Sequence, residues 1–271
     1  MVIRVLDSPA ALGPRIAPEF EFGRLRLTPA LPEEAAVWVV NRALSGRAAV
    51  VVTSHLHHVR LAETDPVFLD VLNRCELNVA DGWPLVAASR ILGPRLPSRV
   101  IGIDLTESVL HAGVPLDLAI LGGPPGTAEA LAEQESGRHN LVLVEPLPAQ
   151  IWECPEEYDA MVERVAAAAP TLVLLGVGAP RQEILADALR PYVRGPIICC
   201  GATIPVLAGS VRRAPAPMRR MGMEWAFRLL QSPRRLGPRY VYGAGVFARI
   251  AVRELAYRVR EAIRFRVQAE R

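Results

Sequence analysis

Thr171-Leu-Val-Leu-Leu-Gly-Val-Gly-Ala-Pro-Arg-Gln-Glu183 is an apolar run that stops on glycines and continues as a helical pattern. A near-continuous run of this kind is a strand covered on both faces, and the glycine loop turns it into a helix. The rhythm recurs at Ala48 to Thr53, Leu77 to Ala80, Leu116 to Leu121, Leu141 to Val144 and Pro196 to Cys200, with helical segments between most of the runs. Before the first run, Pro32 to Leu44 reads as a helix with proline in its first turn. Ahead of that helix, Phe20, Phe22, Leu25 and Leu27 alternate in two short extended pieces. Strands alternating with helices predict an α/β fold, a Rossmann-like and mostly parallel sheet covered by helices on both faces.

Ligands of such sheets bind beyond the carboxyl ends of the strands. The informative residues therefore follow the apolar runs. They are Thr53-Ser54-His55, Asp81-Gly82, Gly122-Gly123-Pro124-Pro125-Gly126, Gly176 to Glu183, and Gly201-Ala202-Thr203. Gly122, Gly123 and Gly178 lie where free N–H groups at a helix start would cradle phosphate. The alternative is a tight turn that needs positive φ. Gly176-Val-Gly178 begins like a dinucleotide fingerprint, but Arg181 stands in the third glycine's place, which suits a nucleotide diphosphate better than NAD.

Asp81 reads either as an N-cap or as a carboxylate at the rim of the site, able to take a proton from a hydroxyl. Asp104 is open to the same two readings, with the cap favoured. His55, His57 and His58 form a cluster that caps a loop, contacts substrate or begins a metal site; no third ligand has diagnostic spacing. No Asp-x-Asp is present to hold Mg²⁺ or Mn²⁺.

All 31 basic residues among the 271 are arginine, which excludes chemistry that needs a P-loop, Schiff-base or kinase lysine. Residues 1–211 carry 16 Arg against 24 Asp and Glu, a balance of −8, while residues 212–271 carry 15 Arg against 4 Glu, or +11. A tail so charged seeks polyanions. The 4 cysteines form no CxxC pair, in keeping with a reduced, cytosolic chain. The N-terminus shows no signal-peptide pattern, and the longest charge-free stretches, of 16 and 17 residues, are broken by Gly and Pro. Membrane contact is therefore expected to be peripheral.

On a helical wheel Arg249, Arg253, Arg260 and Arg264 share an arc opposite Phe247, Ala251, Leu255, Val259, Ala262 and Phe265, and Arg258 and Arg266 interrupt the apolar face. Such a helix lies on an anionic membrane surface or packs on the body or on another subunit, so a homo-oligomer stays open. Nucleic acid is not expected, since no stacking aromatics are interleaved with the arginines.

Several segments together resemble one family. Asn78-Val-Ala-Asp81-Gly-Trp, Ala88-Ser-Arg90-Ile-Leu-Gly93 and Arg99-Val-Ile-Gly102-Ile-Asp104 are similar to the core signature of the WecG/TagA/CpsF glycosyltransferases. Gly176 to Glu183, Ala208 to Pro215, Gly222-Met-Glu224-Trp225-x-x-Arg228 and Pro233-x-Arg235-Leu-x-x-Arg239-Tyr240 resemble its later motifs. The resemblance implies a metal-independent, inverting transferase without a cofactor. Its donor would be a UDP-sugar, of the N-acetylmannosamine type, its uronic acid or another hexose. The acceptor would be a polyprenyl-diphosphate-linked sugar at the cytoplasmic face of the bacterial inner membrane.

By motif, Asp81 matches the general base, and Thr53 and Arg99 match residues of the catalytic site. His55, Gln182, Glu183, Arg213, Arg228, Arg235 and Arg239 fall among the substrate-binding positions. Residues 1–211 would be the catalytic domain and 212–271 an appendage that meets the membrane and closes the site. Two motifs depart from the family: Thr-Pro-Asn reads Thr53-Ser54-His55, and Phe-Asp-Phe-x-Ala-Gly reads Ile204-Pro-Val-Leu-Ala-Gly209. Two further readings stand beside the transferase. One is a metal-dependent hydrolase on His55 and His57; the other is a non-catalytic nucleotide-sugar-binding partner at the membrane.

Overall fold

The computed structural model describes residues 19–148 and 151–269. The N-terminal segment read for a signal peptide lies outside the described residues. β1 (Phe20–Phe22) and β2 (Leu25–Leu27) form an antiparallel hairpin. There follow α1 (Pro32–Leu44), β3 (Ala49–Ser54), α2 (Leu56–Thr64), α3 (Pro66–Arg74), β4 (Leu77–Ala80), α4 (Trp83–Leu92) and α5 (Gly102–Leu110). Next come β5 (Asp117–Gly122), α6 (Thr127–Glu135), β6 (Asn140–Glu145), α7 (Pro155–Ala168), β7 (Leu172–Gly176), α8 (Arg181–Leu189) and β8 (Pro196–Cys199). The chain ends through α9 (Thr203–Leu207), α10 (Ala216–Arg220), α11 (Glu224–Gln231) and α12 (Pro233–Ala269).

The α/β expectation holds: β3 to β8 make one six-stranded sheet, all parallel, in the order β4-β3-β8-β7-β5-β6. Alternate residues of each strand enter different cores, which is why the runs are apolar throughout. Val50, Val52, Leu121, Val173, Leu175 and Ile197 pack with α2, α3, α4, α7, α8 and the hairpin. Val51, Leu118, Ile120, Leu172, Leu174 and Ile198 pack with α1, α5, α6 and α9. Each such side chain, fully buried, contributes about 1.5–3 kcal/mol.

The order of strands positions the site. From β5 the chain turns through α6 outward to β6, and from β7 it turns through α8 inward to β8. The helices lie on opposite faces, α6 burying Ala128 and Leu131 on one and α8 burying Leu185, Ala186 and Leu189 on the other. The connections therefore diverge between β5 and β7, and a crevice opens at their carboxyl ends. Both glycine loops, after β5 and after β7, border it.

The tail ends in one long helix, α12, and that helix is only partly a free amphipathic surface. Val246, Phe247, Ile250 and Ala251 pack into the core beside the hairpin, with the Phe22 and Phe247 rings stacked at 4.7 Å. The wheel therefore splits. Phe247 and Ala251 face the body, Leu255 and Val259 do not, and the side chains of Ala262 and Phe265 lie outside the described residues.

Candidate active site

Thr53 and Ser54 end β3, and Asp81 follows β4 one strand away, its N–H donating to the Ser54 carbonyl at 2.8 Å. Ser54 Oγ donates to Asn78 Oδ1 at 2.7 Å, and Asn78 Nδ2 donates to the Arg26 carbonyl at 2.9 Å. This edge is thereby tied to the hairpin. Gly102, at the start of α5, lies against Thr53: a Cβ there would sit 2.8 Å from Thr53 Oγ1. Its N–H donates to Asp81 Oδ2 over a long 3.4 Å.

Asp81 is not an N-cap. That position in α4 belongs to Gly82, which has no side chain to cap with; of the Asp81 carboxyl, Oδ2 meets the first N–H of α5 over that long distance. Burial pushes it up from 3.8 to about 7, with Glu224 adding to the rise, against the opposing pull of Arg228, the Gly102 N–H and Arg99. A carboxyl poised there is half-ionised near neutrality, which suits proton transfer. Asp104 is not a cap either, which corrects the reading favoured from sequence. Ile101 holds the cap position of α5, and Asp104, in the first turn, pairs with Arg213.

The histidines are absorbed mainly by local structure. His55 caps α2, its Nδ1 accepting from the His57 N–H at 3.2 Å, while the His55 N–H donates to His58 Nδ1 at 3.3 Å. That second bond places the His58 proton on Nε2, which faces Glu183 Oε1 at 3.2 Å. His55 is held well below its ordinary range by burial first and then by its neighbouring histidines, Arg239 and Arg228. His57 is pushed down to about 3 by burial and Arg239. Among the described residues no group of three or more His, Cys, Asp and Glu side chains could hold a metal ion. Of the hydrolase reading's pair, His55 has its Nδ1 taken by the His57 N–H and His57 has its Nδ1 facing Arg60 Nη2 at 3.5 Å, so that reading gains no support.

Gln182 and Glu183, expected at the substrate, lie beneath the loop instead, 5% and 0% exposed. Gln182 Oε1 accepts from the Gly178 N–H at 3.1 Å, and its Nε2 donates to Glu183 Oε1 at 2.7 Å. A buried chain of polar groups thus runs from the His55 cap through His58, Glu183 and Gln182 to the Gly178 loop, and fixes both. The remaining Glu183 oxygen is buried without a hydrogen-bond partner.

The other loop is locked to the first by the Gly123 N–H donating to the Gly176 carbonyl at 2.9 Å. Gly123 has φ +94°, and a Cβ there would lie 2.6 Å from Thr127 Oγ1 and 3.2 Å from Ile204 Cγ2. Gly122 has positive φ too, and Gly178, at φ +82°, faces open space. Ile204, at the family's phenylalanine position, is fully buried under these loops.

The segment after Val211 packs on Arg99 and on α5. Arg99 Nη2 donates to the Arg219 carbonyl at 2.7 Å, so this arginine clamps α10 to the body. Arg213, expected to bind substrate, is instead engaged by carboxylates: Asp104, Glu107 at 3.6 Å and Glu224 at 3.6 Å. Arg228 pairs with Glu224 at 3.5 Å and is the foremost positive charge acting on Asp81. Arg239 acts on His55, His57 and Tyr240. The Arg235 side chain lies outside the described residues. Tyr240, raised chiefly by burial, stands among Arg228, Arg239, Asp81 and Glu224, its ring edge-on to Trp225 at 6.0 Å.

Glu224 and Tyr240 belong to this cluster although sequence reasoning named neither as a site residue. The Glu224 and Arg228 spacing of four on a helix was the available signal.

Among the described residues no helix is long and apolar enough to cross a membrane. Residues 20–261 match the family model described as glycosyl transferase WecG/TagA/CpsF family. The match takes in the sheet, the strand-end cluster and most of α12. Members are glycosyltransferases of cell-surface polysaccharide synthesis that use a nucleotide-sugar donor and a lipid-linked acceptor. A match over so much of the chain means that this protein belongs to the WecG/TagA/CpsF glycosyltransferase family.

Proposed function

We propose that this enzyme is an inverting glycosyltransferase that moves a sugar from a UDP-sugar to a polyprenyl-diphosphate-linked sugar without a metal ion. The donor is of the N-acetylmannosamine type, its uronic acid or another hexose. The observation that carries the reading is Asp81, at a strand end, with only a long bond from the Gly102 N–H, its carboxyl raised to about 7 and faced by the arginines Arg228 and Arg99.

Asp81 takes the proton from an acceptor hydroxyl as that oxygen bonds to the anomeric carbon from the face opposite UDP. The bond from that carbon to the β-phosphate oxygen breaks, and UDP leaves with the electron pair. Thr53, beside Asp81, orients the reacting groups. The Gly122-Gly123 and Gly178 loops border the crevice between β5 and β7 and let the donor diphosphate approach the backbone there, the Gly123 and Gly178 N–H groups themselves being held by the Gly176 carbonyl and Gln182 Oε1. Three strand spacings separate β4 from β7, about 14 Å, which leaves room for a nucleotide sugar laid across the strand ends. Arg228 and Arg239 meet the developing charge and the acceptor's diphosphate, where guanidinium geometry suits phosphate.

In this reading residues 1–211 are the catalytic body and 212–271 the appendage that closes it. Val252, Leu255, Val259 and Ile263 form an exposed aliphatic stripe on α12, and Arg249, Arg253, Arg260 and Arg264, exposed as well, flank it. Such a helix suits peripheral docking on an anionic leaflet, at the cytoplasmic face of the inner membrane.

The test is Asp81→Asn, assayed for UDP release from UDP-N-acetylmannosamine with a short-chain polyprenyl-diphosphate-linked N-acetylhexosamine. Turnover should be lost while UDP still binds. Wild-type turnover would remove Asp81 from the chemistry.

A further inference from the structure

Glu224 is a buried carboxylate that the transfer step itself does not use. It is 8% exposed, in the first turn of α11, and its Oε1 stands 3.5 Å from Arg228 Nη2 and 3.6 Å from Arg213 Nε. That Arg213 nitrogen is buried and makes no hydrogen bond, so Glu224 answers its charge across space. Arg213 is anchored in turn on Asp104 and Glu107 of α5. Alternating charges thus run from α5 through the linker to α11 and end at Arg228, which faces Asp81.

We infer that Glu224 is a positioning residue: it holds Arg228 at the mouth of the site and, through Arg213, locks that arginine to α5, so that body and appendage make one composite site. The inference rests on Asp81 being the base. An unneutralised guanidinium beside that carboxylate would favour its ionised form and weaken it as a base. Glu224 draws part of the Arg228 charge to itself and restores the basicity. The remaining groups facing Asp81 are Arg99, Tyr240 and the Gly102 N–H; those facing Glu224 are Arg213, Arg228 and Tyr240. Arg228 remains available to the departing diphosphate, yet does not quench the base.

The test is the pH dependence of kcat/KM in the full chain, with the donor and acceptor named above. Glu224→Gln should move the acid limb to lower pH and lower kcat/KM at the optimum by about tenfold, the scale of a base weakened by about one unit. Arg228→Gln should move the limb the opposite way, and Glu224→Asp should recover part of the loss. A merely structural carboxylate would change the melting temperature and leave the limb in place. An unmoved limb in Glu224→Gln, with Asp81→Asn inactive, overturns this inference alone. Turnover by Asp81→Asn overturns the base assignment and this inference with it.

Discussion

Replacing Asp81 with asparagine should stabilise the fold while it removes activity. The Asp81 carboxyl is raised from 3.8 to about 7 because its ionised form is buried. The folded state then holds the proton more tightly than the unfolded chain, so stability falls as pH rises between those two values. Below about 4 both states are protonated and the group contributes nothing; above about 7 both are ionised and the penalty is complete. About three units at ~1.36 kcal/mol each correspond by linkage to about 4 kcal/mol. Asparagine keeps the shape and an oxygen to accept from Gly102 but carries no charge. At pH 8 its melting temperature should exceed that of the wild type by about 8–16 °C, from ~2–4 °C per kcal/mol for a chain of this size. At pH 4.5 the gap should shrink to about a quarter. Differential scanning fluorimetry at the two pH values measures both. An asparagine variant no more stable than wild type at pH 8 would show that the carboxylate is not strained by burial, and the argument for its basicity would fall.

Other outcomes follow from the same geometry. The acid limb of kcat/KM should lie near pH 7 and fall about tenfold per pH unit beneath it; a profile flat from pH 5.5 to 8 contradicts a raised Asp81. Gly123→Ala places a Cβ 2.6 Å from Thr127 Oγ1 at φ +94°. It should cost about 1–3 kcal/mol and weaken UDP binding by calorimetry, whereas unchanged affinity would take this loop out of the nucleotide site. Changing Leu255, Val259 and Ile263 together to serine should abolish sedimentation with anionic vesicles and leave the melting temperature within a degree or two, since all three are exposed. Persistent vesicle binding would refute the α12 anchor. A cut after Gly243 is a poorer test, because it also strips Phe247 and Ile250 from the core.

The family's altered motifs gain a physical meaning here. Ile204 occupies a pocket that two glycine loops close over, so an aliphatic side chain serves to support backbone. At the other altered motif, His55 supplies the cap of α2 with its ring nitrogen, which an N-cap asparagine would supply with its amide oxygen.

The sheet was legible in the sequence because strands buried on both faces must be apolar at every position. The runs at Leu77 to Ala80 and Thr171 to Val177 announce themselves without any partner being known. Asp81 and the glycine loops were legible for a related reason: a polar or glycine residue straight after such a run marks a strand end. Charge asymmetry likewise marked the tail. Which contacts those residues make was decided only by tertiary packing. The sequence could not show that Gln182 and Glu183 turn inward, since burial depends on α2 lying across them with His58. Nor could it show that Arg213 meets a carboxylate 109 residues away on α5, or that α12 is half core and half surface. Local pattern fixes the type and ends of an element, while the state of a charge depends on what the rest of the chain brings beside it.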